Sequence, residues 1–326
     1  MQRTLPTPGT INEDFVSFSK AVPVSVAPRL TSNLFCVASM LAWACGFPTV
    51  EFLLVPIPAL PLAALRLALG TLFLLPVWAC LEGPGALMAA NWRKGLVIGA
   101  IGFGAGAFLL IVAQEMTDAV TVTVITASSP VVGIALECLL DGRRLTVRLV
   151  AGLVLSILGA LIAVSARLGM LTLGPGALVA FASVLFFTWG SRATVRGLPE
   201  QSAIGRTTVT LLGAALAATT ASIVTQAFGG PTVNWAGIGP SQLAALALYS
   251  IVALSLSQVF WIMGVGRLGI GLASLHFNAA PFYVMILLFL LGGSWNWLQV
   301  VGALIVTIGV MVAQGFIGSR IRPATA

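Results

Sequence analysis

The chain has 326 residues, of which 59% are hydrophobic and only 8% charged, whereas soluble domains carry about 25% charged residues; a water-exposed globular surface cannot be built from so few. The net charge of +7 is spread over short segments between apolar runs, without the basic stripe or aromatic platform of a nucleic-acid binder. Retention of positive charge on one side of a membrane accounts for the same number.

Residues 1–30, with Pro6, Pro8, Pro23 and Pro28, read as a flexible cytosolic tail. A bilayer core about 30 Å thick needs about 20 apolar residues per helix. Ten runs qualify as spans: 31–54, 58–81, 93–114, 119–140, 147–166, 175–195, 203–227, 242–265, 269–292 and 296–317. Gly and Pro punctuate most of the short loops between them. The first run is long enough to span and lacks a cleavage-like boundary, so no signal peptide is expected. Cys36, Cys45, Cys80 and Cys138 fall inside or at the ends of apolar runs, without CxxC or Cys/His spacing. They read as buried hydrophobes, and neither metal nor cofactor is expected.

Orientation follows from the basic residues. With the N-terminus in the cytosol and the sides alternating, the inner segments hold Arg3, Lys20, Arg29, Arg93, Lys94, Arg143, Arg144, Arg148, Arg192, Arg196, Arg206, Arg267, Arg320 and Arg322. These are 14 of the 16 Lys and Arg, leaving only Arg66 and Arg167 on the outer half. An even number of spans with both termini cytosolic, in a cytoplasmic (inner) membrane, satisfies this pattern. Trp78, Trp92, Trp235, Trp295 and Trp297 fall near the expected interfaces.

The second half echoes the first. Thr126-Ala-Ser-Ser-Pro130 is followed by Gly152 and Gly159; Phe277-Asn-Ala-Ala-Pro281 is followed by Gly302 and Gly309. Proline to first glycine is 22 residues in one half and 21 in the other, and glycine to glycine is 7 in both. Leu-Ala-Trp43 pairs loosely with Phe-Thr-Trp189, and Arg66 with Arg206. Halves of five spans each must insert in opposite orientations, the inverted-repeat construction of secondary transporters. The expected division is a 1–30 tail, a first repeat 31–166, a linker 167–174, a second repeat 175–317 and a 318–326 cytosolic tail.

On these residues the chain resembles the drug/metabolite transporter superfamily, EamA type. The resemblance rests on Leu-Ala-Trp43, Ala-Ala-Leu-Arg66, Ala127-Ser-Ser-Pro130 and Ala151-Gly152 to Gly159-Ala160, in that order, and covers residues 31–317. It implies an all-α membrane protein, with ten transmembrane helices in two inverted five-helix repeats. It also implies a central cavity lined by helices 1, 3, 4, 6, 8 and 9, and transport of amino acids, other metabolites or drugs. Within the family, the YddG-like amino-acid exporters rank first. The small multidrug relatives use a carboxylate in the first helix, where this chain has only Glu51, near the outer end.

Polar groups within spans are costly and need a partner or a wet cavity. Thr126, Ser129, Gly133 and Glu137 share one face of the fourth span; either the hydroxyls line a cavity or they mediate helix packing. Pro130 should bend this helix and free the Thr126 carbonyl, and Pro281 should bend the ninth, making both conformational hinges. Glu137 beside Arg143 and Arg144 reads as a surface ion pair. The ninth span holds His276 and Asn278, which cannot share one face of a straight helix; His276 is favoured as cavity-lining over a core histidine bonded to a carbonyl. Ser250, Ser257, Gln258 and Trp261 lie along one side of the eighth span; Ser257 and Gln258 are substrate-binding or inter-helix glue, and Trp261 marks the inner interface. Trp43 and Trp189, away from the interfaces, suit an organic solute. Arg66 either anchors a substrate carboxylate, or snorkels to the surface or ties down a loop carbonyl.

No Walker motif appears, so an ATP-driven pump and its ATPase subunit are not expected. An intramembrane enzyme would need a nucleophile with a base, or paired carboxylates at matching depth, and the chain has neither. The expected function is a monomeric secondary transporter or facilitator of a small-molecule substrate, working in the lipid bilayer by alternating access. Amino-acid export is its first reading, and export of drugs or quaternary amines its alternative.

Overall fold

A computed structural model describes residues 26–117, 119–165 and 174–317. The expected N-terminal tail (apart from residues 26–30), the linker 167–174 (apart from Gly174) and the C-terminal tail lie outside the described residues. The described residues form ten helical rods. They are α1 (Val26–Ala44, continued by Gly46–Leu54), α2 (Ala59–Glu82), α3 (Trp92–Ile98, Gly99–Ala105 and Gly106–Met116), α4 (Ala119–Thr126 and Ser129–Asp141) and α5 (Val147–Ala163). The second set comprises α6 (Pro175–Gly197), α7 (Ala203–Ala227), α8 (Pro240–Ala247, Leu248–Leu256 and Ser257–Leu268), α9 (Ile270–Ser274, Leu275–Ala279 and Ala280–Leu290) and α10 (Trp297–Ala313). Among the described residues, eight rods are long and apolar enough to cross a membrane, while α5 and α10 have 17 residues each.

Local chemistry sets the ends. The side chains of Asn91, Thr146, Ser202 and Asn296 accept from first-turn backbone N–H groups of α3, α5, α7 and α10, satisfying donors that a helix start leaves orphaned. Pro175 and Pro240 open α6 and α8, where their missing N–H costs nothing. Two short helices, Pro84–Ala89 and Trp235–Gly237, fill connections.

The exterior differs from that of a soluble protein, and hydroxyls are tucked into an otherwise apolar interior. Leu72, Leu216, Ile223 and Leu304 are exposed, while Ser39, Thr71, Thr207, Thr208 and Ser255 are buried. An outer face of leucine and isoleucine suits lipid. The interior hydroxyls bond backbone carbonyls, as Thr71 does with Leu67 (2.8 Å), Thr207 with Ala203 (2.8 Å) and Thr208 with Ile204 (2.8 Å).

The packing exchanges partners between the two sets of five. Helices α5 and α10 pack antiparallel with backbones nearly touching: a Cβ on Gly159 would sit 2.6 Å from the Gly302 carbonyl, and one on Gly309 would sit 2.7 Å from that of Gly152. The four glycines that recur with equal spacing in the sequence are therefore one another's neighbours. Helices α2 and α7 pair, as do α4 and α9, while α1 packs on α8 and α6 on α3.

Irregular turns recur as well. Both third helices contain a widened π segment, Gly99–Ala105 in α3 and Leu248–Leu256 in α8. In each case the first residue after it, Gly106 or Ser257, has its carbonyl taken by a serine of the other set's first helix. Ser183 Oγ donates to Gly106 O at 2.8 Å, and Ser39 Oγ donates to Ser257 O at 2.8 Å. Ser39 lies four residues before Trp43, and Ser183 four before Phe187. Phe187 is thus the counterpart of Trp43, in place of Trp189.

Candidate functional site

The break in α9 positions the site. Between its two α-helical pieces, Leu275–Ala279 wind as a 3-10 turn, whose three residues per turn send successive side chains about 120° apart. His276, Phe277 and Asn278 therefore diverge. His276 is buried and its Nδ1 donates to the Ala273 carbonyl at 3.0 Å, the geometry of the core histidine rather than of the favoured cavity-lining one. Asn278 is buried and its Nδ2 donates to Ser156 Oγ of α5 at 2.9 Å. Phe277 goes to the centre.

Five helices contribute rings there. Phe277 lies 4.6 Å from Trp261, 5.8 Å from Phe187 and 6.3 Å from Trp43, centroid to centroid, and Phe187 lies 5.5 Å from Phe103. Such pairs are worth about 0.5–1.5 kcal/mol each beyond area burial. Trp261 and Phe103 are buried; Trp43, Phe187 and Phe277 are half-buried. Trp261 is no interface marker: it is 1% exposed and its Nε1 donates to Ser191 Oγ of α6 at 3.0 Å. Trp189 makes no ring contact among the described residues; two positions from Phe187, it points elsewhere on α6.

The two proline helices differ from the expected kink. In α4 the helix stops at Thr126 and restarts at Ser129, with Pro130 in the first turn of the new helix; in α9 the new helix starts at Ala280, ahead of Pro281. Each proline opens a helix after a break instead of bending a continuous one. The Thr126 carbonyl is freed as expected, but Ser129 Oγ donates to it at 2.6 Å, and Thr126 Oγ1 donates to Val122 O at 2.8 Å. Both hydroxyls are spent within α4.

Helix α8 is tied on both sides. Ser257 Oγ donates to Ser39 O at 3.0 Å, reciprocating the Ser39 bond, and Ser255 Oγ donates to Gly70 O of α2 at 3.0 Å. Arg66 of α2 donates from Nη1 to Tyr249 Oη (2.9 Å) and from Nη2 to the Ala253 carbonyl inside the π segment (3.2 Å), with its guanidinium 4.0 Å over the Tyr249 ring. Arg206 donates to the Pro199 carbonyl at 2.8 Å. These bonds fit the structural reading of Arg66. Glu137 pairs with Arg143, yet it is 6% exposed and packs on Gly269 and Gly271 of α9, so the pair is partly buried.

Among the described residues, four buried polar atoms on the interrupted helices have no hydrogen-bond partner: Ser128 Oγ in α4, Ser250 Oγ and Gln258 Nε2 in α8, and Asn278 Oδ1 in α9. Ser128 and Asn278 lie at the breaks of α4 and α9, Gln258 lies one turn before Trp261, and Ser250 lies within the π segment of α8. The sequence singled out Trp43, Ser257, Gln258, His276 and Asn278 near this centre but passed over Phe103 and Phe187, and named Phe277 only as the counterpart of Thr126. A phenylalanine in an apolar run carries no signal by itself.

A polytopic all-helical membrane protein, with lipid-type exterior and broken helices around an aromatic centre, is the class so defined. Residues 30–165 match the model of the EamA-like transporter family, so the first five helices are similar to an EamA-like domain. The chain is 26% identical over 265 residues to "Uncharacterized transporter YyaM" of Bacillus subtilis (strain 168), covering 78% of this chain and 84% of that protein. A solved crystal structure aligns with 88% of this chain and 98% of its own at a TM-score of 0.74 and 21% identity; that likeness concerns the fold.

Proposed function

We propose that this protein is a secondary transporter of small organic molecules, not an enzyme, and that its substrate is an amino acid exported across the cytoplasmic membrane by alternating access. Its two sets of five helices act as inverted repeats, both termini lie in the cytosol, and the breaks at Ser128 and Leu275–Ala279 are the flexing points. The likeness to an EamA-like domain and to a protein named as a transporter supports the general reading.

One observation carries the substrate class: buried donors and acceptors without partners on α4, α8 and α9, beside a wall of rings. Each orphaned group costs about 1–3 kcal/mol, and a zwitterion repays both signs at once. Its carboxylate takes the Gln258 Nε2 donor, its ammonium takes Asn278 Oδ1, and its side chain meets Phe277, Trp43 and Phe187. Among the described residues no carboxylate side chain joins these groups, which favours a zwitterion over a lone cation.

Counterflow in proteoliposomes tests this, with amino acids, quaternary amines and small organic acids offered in turn, with and without a pH gradient. Saturable amino-acid counterflow that Gln258→Ala and Phe277→Ala each reduce at least tenfold is expected. Counterflow of amines alone would replace the substrate by the alternative class. Silence of every class in liposomes holding folded protein would overturn the transporter reading.

A further inference from the structure

The molecule carries a second built feature, toward the basic end from the aromatic centre, with Leu268 packed on the same core as Trp261. At the end where the basic residues gather, a cleft of about 630 Å³ opens between α1, the α4–α5 connection, the α8–α9 junction and the end of α10. Arg29, Arg143 and Arg267 line it together with Ser32 and Gln314, while Leu268, Leu272 and Ala313 give it an apolar side.

The arginines are held in place. Arg29 donates to the Gln314 carbonyl at 2.8 Å. Asn33 and Gln314 brace that carbonyl's residue through reciprocal amide bonds of 2.8 and 2.6 Å. Arg267 lays its guanidinium 4.9 Å over the Phe35 ring, which occupies its face and leaves its N–H edge outward. Arg143 is neutralised by Glu137. Among the described residues neither Arg29 nor Arg267 forms an ion pair. Two guanidinium groups without an ion pair among the described residues share one cleft and call for an anion, and the rigid N–H fork of arginine matches phosphate oxygens.

Depth indicates how that anion arrives. Helices α5 and α10, at 17 residues and about 1.5 Å per residue, span about 26 Å, short of a core of about 30 Å. The cleft touches the end of α10, and a second cleft of about 440 Å³, lined by Thr146, Arg148 and Gln314, flanks the same ends of α5 and α10. Where a helix pair ends short, the lipid surface dips toward it, which brings phosphates to the level of these arginines. Leucines beside arginines match the junction of acyl chain and headgroup.

We propose that this cleft binds a phosphate group, presented by an anionic phospholipid of the leaflet at the basic end. Purified full-length protein in a neutral detergent is titrated with phosphatidylglycerol, with phosphatidylcholine or with inorganic phosphate, and bound adducts and thermal midpoints are read by native mass spectrometry and melting. Phosphatidylglycerol should be retained at least fivefold more than phosphatidylcholine. Arg267→Gln, an exposed position that leaves the fold intact, should abolish the preference, and Arg267→Lys should restore part of it. Equal retention of both lipids, or an unchanged preference in folded Arg267→Gln and Arg29→Gln variants, overturns the site. Stabilisation by inorganic phosphate that phosphatidylglycerol does not compete away overturns the lipid source and assigns the cleft to a soluble anion.

Discussion

Arg66 illustrates what a single residue's surroundings decide. Its sequence context left open a substrate anchor or a structural tie, because charge and depth are readable from a string whereas partners are not. The structure gives it a phenol and a carbonyl released by a π turn. Arg66→Gln should therefore lower stability by about 1–3 kcal/mol through the carbonyl and hydroxyl left unsatisfied, seen as a lower melting midpoint in detergent. A variant that melts with the wild type yet loses counterflow would return Arg66 to the substrate. Close approach makes a second contrast. A Cβ on Gly99 would overlap the Thr210 carbonyl of α7, whereas one on Gly85 meets nothing within 4 Å. Gly99→Ala should destabilise by about 1–3 kcal/mol or more, as overpacking does, and Gly85→Ala should leave the midpoint in place.

Elements were more legible than their interruptions. Sequence runs such as 203–227 and 58–81 reappear as Ala203–Ala227 and Ala59–Glu82, since twenty apolar residues in a bilayer have one helical solution. The π turns in α3 and α8 left no trace, because Gly99–Ala105 and Leu248–Leu256 share no composition; what they share is a place in the packing. The prolines did mark the breaks, but proline alone does not tell a kink from a restart. The α9 break is held to α5 by Asn278 and Ser156, with Ser156 Oγ also 3.4 Å from the Leu275 carbonyl. A double-mutant cycle of Ser156→Ala and Asn278→Ala should show a coupling of about 0.5–1.5 kcal/mol. Additive effects on the melting midpoint would mean that this bond does not hold the break.

At the scale of the molecule, the glycines at equal spacing in the two halves read in the sequence as landmarks of a repeat; that they pair α5 with α10 came from the structure, where equal spacing lets two antiparallel helices pack backbone to backbone. The crossing of α1 onto α8 and of α6 onto α3 could not be read, since serines that clasp across helices look like serines that do not. Those clasps make the alternating-access proposal testable. Ser39 and Ser257 have hydroxyl oxygens 3.3 Å apart, and a Cβ on Gly106 would meet the Ser183 carbonyl at 3.5 Å, an ordinary contact. In a background without the four native cysteines, the pairs Ser39→Cys with Ser257→Cys and Ser183→Cys with Gly106→Cys should each cross-link under mild oxidation. If one set of five rocks against the other, both clasps join surfaces that must part. Each cross-link should then arrest counterflow, and a reductant should restore it. Full counterflow through either oxidised pair would show that the sets do not separate there, and transport would have to proceed by local movement of the α4 and α9 breaks alone.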